Sequence, residues 1–163
     1  PPKQAVSSNG KQNLSYYTIH SIVLFASEPV LAYNASMSYA ISKTVSTDMA
    51  TAEVRLREEL AKEGFGVLTE IDMQATLKKR LDADIRPYKI LGACNPPFAL
   101  KSLQAEDYIG LMLPCNVLLQ QREGGVEVSA IDPVASMMAV KNPQLEATAA
   151  EVREKLKRVI AAV

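Results

Sequence analysis

Cys94, Cys115 and His20 are the chain's whole complement of thiols and imidazoles. A thiol–imidazole nucleophile needs both groups within hydrogen-bond reach. His20 lies far upstream, in a stretch of different composition, so that pair is not expected. The three groups also fall short of the four ligands of a structural zinc site. The cysteines alone leave three readings open. On neighbouring strands they could pair transiently as a redox couple or hold a soft metal such as Cu(I). They could form a structural disulfide. Or both are small buried hydrophobes, as free cysteine usually is. Cys94 stands directly before Asn95-Pro96, a helix-start signal. A thiol at a helix N-terminus feels positive potential, which lowers its pKa.

A second candidate is the apolar run Ile109-Gly110-Leu111-Met112-Leu113-Pro114, together with Met137 and Met138. Adaptable methionines can line a ligand cavity, and Leu111, Met112 and Met137 are the residues to watch. Tyr88 could add a hydroxyl. The plainer reading of the same residues is core. Other chemistry lacks its motifs: there is no phosphate-binding GxxxxGK[ST] loop, no GxGxxG and no GxSxG elbow. Gly64-Phe65-Gly66 is half a motif, better read as a helix stop and turn. Asp82 and Asp84 sit in a polar stretch and read as a solvated face.

The elements that must position these residues follow from hydrophobic period and turn chemistry. Tyr39, Ile41 and Val45 bracket a strand. Ser46 or Thr47 is the expected cap of a helix carrying Met49, Ala52, Leu56 and Leu60, which Gly64 stops. Val67 to Ile71 reads as a strand, and Asp72 caps a short helix with Leu77 and Leu81. Tyr88 to Cys94 is a strand, and Asn95-Pro96 opens a helix to about Glu106. Ile109 to Leu113 and Cys115 to Gln121 read as strands, with Pro114 marking a bulge, kink or edge. Gly124-Gly125 is a hairpin turn, after which Val126, Val128 and Ala130 alternate with Glu127 and Ser129. Asp132-Pro133 opens a helix to about Val140. Asn142-Pro143 opens the last helix, with Leu145, Ala149, Val152, Leu156, Val159 and Val163 on one stripe. That stripe fits a helix laid on a sheet or on a partner. The order of elements points to an α+β fold with a small sheet packed by helices.

The chain has 163 residues, 48% of them hydrophobic, which suits one domain with a real core. Lys+Arg and Asp+Glu both number 18, so nothing marks a nucleic-acid footprint. No apolar run reaches the roughly 18 residues of a membrane span. Residues 1–36 differ in composition from 37–163: Lys3 and Lys11 face one acid, Glu28, among many Ser, Asn and Gln. They read as an extension, either a targeting segment or sequence upstream of a start at Met37. Asn13-Leu14-Ser15 and Asn34-Ala35-Ser36 fit the glycosylation triplet, which also arises by chance. The compartment follows from that segment: cytoplasmic if the chain starts near Met37, exported if a signal precedes it.

Four blocks carry a resemblance: Glu63 to Asp72, Tyr88 to Pro96, Leu113 to Val117, and Ile131-Asp132-Pro133. In order and spacing they resemble the bacterial "domain of unknown function 302" family, over about residues 38–140. The resemblance implies an α+β domain classed with TATA-binding-protein-like folds, and a homodimer. It implies no substrate, cofactor or catalytic residue, and the fold group does not bring DNA binding with it. Cys94 and Cys115 both fall inside the matching blocks. The expectation is a dimeric module that binds a small apolar ligand or a partner without catalysis. The alternatives are a thiol redox or Cu(I) protein, and a structural assembly domain.

Overall fold

Alternation in the Val126 strand and the three-and-four spacing of the last helix describe two sides of one interior. In the computed structural model, which describes residues 39–163, the elements run β1 (Ala40–Val45), α1 (Met49–Lys62), β2 (Gly66–Asp72), α2 (Met73–Leu81), β3 (Tyr88–Cys94), α3 (Pro96–Ala105), a 3-10 helix (Asp107–Met112), β4 (Cys115–Arg122), β5 (Gly125–Ile131), α4 (Pro133–Ser136) and α5 (Pro143–Ala162). The fold is α+β. Its five strands are ordered β1-β5-β4-β3-β2, and every neighbouring pair is antiparallel.

Register decides which side chains meet. Val45 opposes Val126, Leu119 opposes Val128, and Leu91 opposes Val117. All six are buried on one face. Ala52, Leu56 and Leu60 of α1 cover that face, with Val152, Leu156, Val159 and Ile160 of α5. Fully burying one such aliphatic side chain contributes about 1.5–3 kcal/mol. Of the two uses open to the α5 stripe, the chain's own sheet takes it, so it is not a surface for a partner. The opposite face of the sheet is mixed, with Ile90 and Leu118 beside polar pairs. There Ser42 Oγ donates to Ser129 Oγ at 2.9 Å, and Gln120 Nε2 donates to Glu127 Oε1 at 3.0 Å.

Several local expectations are corrected. Ile109 to Leu113 is not a strand; Asp107–Met112 winds as a 3-10 helix. Only Ile109 of that run is fully buried, and Leu111 is 82% exposed. A short apolar run carries no period that separates strand from helix. Asp48, not Ser46 or Thr47, caps α1 and accepts from the Thr51 amide at 2.9 Å. The helix after Asp132 stops at Ser136, short of Val140. Pro114 stands just before β4, joined to Leu113 by a cis peptide bond. The irregularity in the sheet falls instead between Val67 and Thr69. Asp72, Asp132 and Asn142 cap their helices as the sequence leads one to expect. The extension 1–36, with His20 and both glycosylation triplets, lies outside the described residues. Among the described residues no helix is long and apolar enough to cross a membrane.

Candidate functional site

The antiparallel register pairs Ala93 of β3 with Cys115 of β4. Cys94, the last residue of β3, is therefore one step from Cys115 across the ladder. Both cysteines line one narrow apolar cleft, where the ends of β3 and β4 meet α3 and α5. Phe65, Phe98 and Val152 form much of its wall, and Leu113 and Met137 also line it. Its cavity volume is about 30 Å³. That is room for a water or a single ion; a drug-sized ligand takes roughly 300 Å³ or more.

Local sequence explains the position of each wall. Gly92 is buried, and a Cβ built there would lie 2.6 Å from Pro114 Cγ and closer still to Thr69 Oγ1. Only glycine lets the Pro114 ring rest on β3 and start β4 at Cys115. Asn95-Pro96-Pro97 then turns the chain into α3. Asn95 stands at the N-cap, but its side chain makes no capping bond. Two prolines follow it. They have no amide hydrogens, so Phe98 carries the first amide of the helix that needs a partner. The Asn95 side chain is free to reach across, and Nδ2 donates to the Glu63 carbonyl at 3.2 Å.

Glu63 ties three helices together at this end. Lys155 Nζ donates to the Glu63 carbonyl at 3.1 Å, and Arg158 donates to the carboxylate at 2.7 and 2.8 Å. The Arg158 hydrogen bond, helped by Lys155, holds the Glu63 carboxyl down to about 2.

The thiols are free and have no anionic tendency. Burial, with a smaller contribution from the neighbouring Cys94, pushes Cys115 up to about 11. Burial also raises Cys94. The expectation of a Cys94 pKa lowered by the α3 N-terminus is not met: removal from water raises it. A disulfide is not present. Successive residues in a regular strand point to opposite faces, so a one-step offset from the Ala93–Cys115 pair does not align the sulfurs.

The other expected residues divide. Met137, just after α4, joins the cysteines in the cleft. Leu111 and Met112 lie on the 3-10 helix outside it. Tyr88 is at the far end of β3, about 20 Å from Cys94 along an extended strand. It lines a separate polar cavity of about 250 Å³ with Glu53, Asp72 and Lys89. There Lys89 Nζ bridges Glu53 and Glu70, both at 2.7 Å. The four ligand candidates therefore do not form one pocket. Sequence reasoning missed Thr148, which lines the cleft 2% exposed with a hydroxyl that has no hydrogen-bond partner. Its signal was position: it follows Leu145 by three and precedes Val152 by four, on the buried side of α5. None of the side chains lining this cleft is charged, so it holds no acid–base pair. Among the described residues no three His, Cys, Asp or Glu side chains converge on one point.

No curated protein matches the chain. Its fold is similar to the crystal structure of an uncharacterized conserved protein DUF302 from Bacillus stearothermophilus, with a TM-score of 0.72 and 28% identity, over 77% of this chain and 98% of that one. The family profile described as Domain of unknown function DUF302 matches residues 41–163, and with that match over most of its length the chain belongs to that family.

Proposed function

We propose that this domain is a binding module without chemistry of its own, and that its site is the cleft between the β3–β4 end, α3 and α5. One observation carries the reading: both cysteines, Met137 and the unpartnered Thr148 hydroxyl line a single uncharged cleft. A well-packed core leaves few buried hydroxyls unsatisfied, and an orphan one facing a cavity suits an occupant. The volume limits that occupant to something the size of an ion or a water. The test is alkylation of the folded, reduced protein with reagents of rising size, from iodoacetamide to a bulky maleimide, with mass mapping of each cysteine. Iodoacetamide is expected to reach Cys94 without unfolding, and the bulky reagent only after it. Equal resistance of both thiols to every reagent until unfolding would mean a sealed core and sink the reading.

Self-association is a second reading, and it has its own observation. Leu100, Leu103, Tyr108, Leu111 and Met138 are exposed large apolar residues on α3, the 3-10 helix and the end of α4. A surface of this kind is the natural place for a second copy to bury area. Sedimentation equilibrium tests it. A dimer that Leu111→Asp converts to monomer supports the reading, and a parent protein monomeric at high micromolar concentration refutes it.

A further inference from the structure

The cleft opens to solvent where its lining is half-buried, at Cys94, Phe98, Ala99, Leu113 and Met137. The same three elements supply this mouth and the exposed apolar patch. Ala99 of α3 precedes Leu100, Leu113 follows Leu111 by two residues, and Met137 precedes Met138. Leu100, Leu111 and Met138 are all exposed. Asn142 Nδ2 donates to the Ala105 carbonyl at 2.8 Å, which fastens the chain beyond Met138 to the end of α3. We propose that a second copy of this chain docks on the patch and closes the mouth of the cleft, so that self-association controls access to Cys94. The proposal rests on both readings above, the cleft as a site and the patch as a surface for self-association.

The charges in these segments favour a second copy over another partner. Lys101 and Lys141 stand against Glu106 and Asp107, so the patch has no net charge to attract a strongly acidic or basic protein or an anionic surface. Lys101 and Asp107 are exposed. Neither is in an ion pair among the described residues. A two-fold axis, the commonest symmetry of homo-oligomers, sets such a patch against its own copy. Lys101 of one protomer then meets Asp107 of the partner subunit, and the reverse, so one surface supplies both signs. The exposed leucines, Tyr108 and Met138 leave water in the same step, which drives the association.

The experiment follows alkylation of Cys94 by iodoacetamide in the full, folded and reduced chain across a concentration series, with sedimentation equilibrium on the same samples. The rate is expected to track the monomer fraction, about tenfold slower where roughly one chain in ten is monomeric. Leu111→Asp should be monomeric and react at the fast rate at every concentration. Lys101→Asp and Asp107→Lys should each weaken the dimer roughly tenfold, and the two together should restore it. All three sites are exposed, so the variants should fold. A dimer whose Cys94 reacts at one rate at every concentration would overturn the closure and leave self-association standing. A parent protein monomeric at high micromolar concentration would leave the patch to a partner of another kind, and self-association and closure would fall together. Resistance of Cys94 in the Leu111→Asp monomer would mean that the chain's own residues seal the cleft, so the cleft reading and the closure fail together. Charge reversals that do not compensate each other would overturn the two-fold pairing.

Discussion

Gly92→Ala is the sharpest test of how the cleft is held. The new methyl would lie 2.6 Å from Pro114 Cγ and nearer to Thr69 Oγ1. The proline ring cannot rotate away, and Thr69 is fixed in β2, so the strand ends must separate. Overpacking of this kind costs about 1–3 kcal/mol. Replacing glycine by alanine in a strand returns about 0.5–1 kcal/mol, because the unfolded chain loses freedom. The net expectation is a loss of about 0.5–2 kcal/mol. Gly66→Ala is the matched control: a Cβ there meets nothing within 4 Å, so only the gain operates and the sign reverses. Urea unfolding with a common m-value reads both. In a domain of this size each 1 kcal/mol moves Tm by roughly 3–5 °C. Native Cys115 should also alkylate faster in Gly92→Ala, because Pro114 precedes it directly. A Gly92→Ala protein as stable as its parent, or a Gly66→Ala protein destabilised equally, would refute the claim that glycine is required for the approach of Pro114.

Three other outcomes are expected. Glu63→Gln removes the carboxylate that Arg158 and Lys155 hold; Arg158 is 57% exposed, so screening limits the loss to about 1 kcal/mol at neutral pH. The depressed carboxyl stabilises the fold fully above about 4.5 and loses that contribution as pH falls toward about 2. The stability gap between parent and variant should therefore close across that window, and a gap constant with pH would count against the ion pair. Asp132→Ala removes the α4 cap at the Val134 amide and the carboxylate 2.9 Å from Arg153, and it should cost about 2–3 kcal/mol in urea unfolding. A loss under about 0.5 kcal/mol would show that the buried carboxylate contributes nothing net. Leu111→Ser, at a site 82% exposed, should leave the stability of an isolated chain within about 0.5 kcal/mol, and a larger loss would place Leu111 in the core after all.

The local grammar of the chain was legible in its residues. Proline after a capping residue marked α3, α4 and α5; period two marked β5 and the three-and-four spacing marked α1 and α5. These signals depend on neighbours within a turn or two, which the sequence displays directly. The short Ile109–Leu113 run had no such period, and its form was settled by where Ile109 could be buried. The cap at Asn95 was misread for a related reason. Its side chain answers to Glu63, 32 residues away, and that partner appears only when α1 and α3 are brought together.

The candidate site divides along the same line. Both cysteines could be singled out by type alone, and the blocks around them placed the chain in its family. Only the strand register set Cys115 beside the end of β3, and only that packing separated Met137 from Leu111, Met112 and Tyr88. Thiol acidity was likewise a tertiary matter. Cys94 next to a helix start predicts a lowered pKa, but desolvation depends on how deeply α3, α5 and Pro114 bury the sulfurs. Sequence lists the donors and the local turns; the depth of water exclusion, and which donors share a cavity, are set by contacts between residues far apart in the chain.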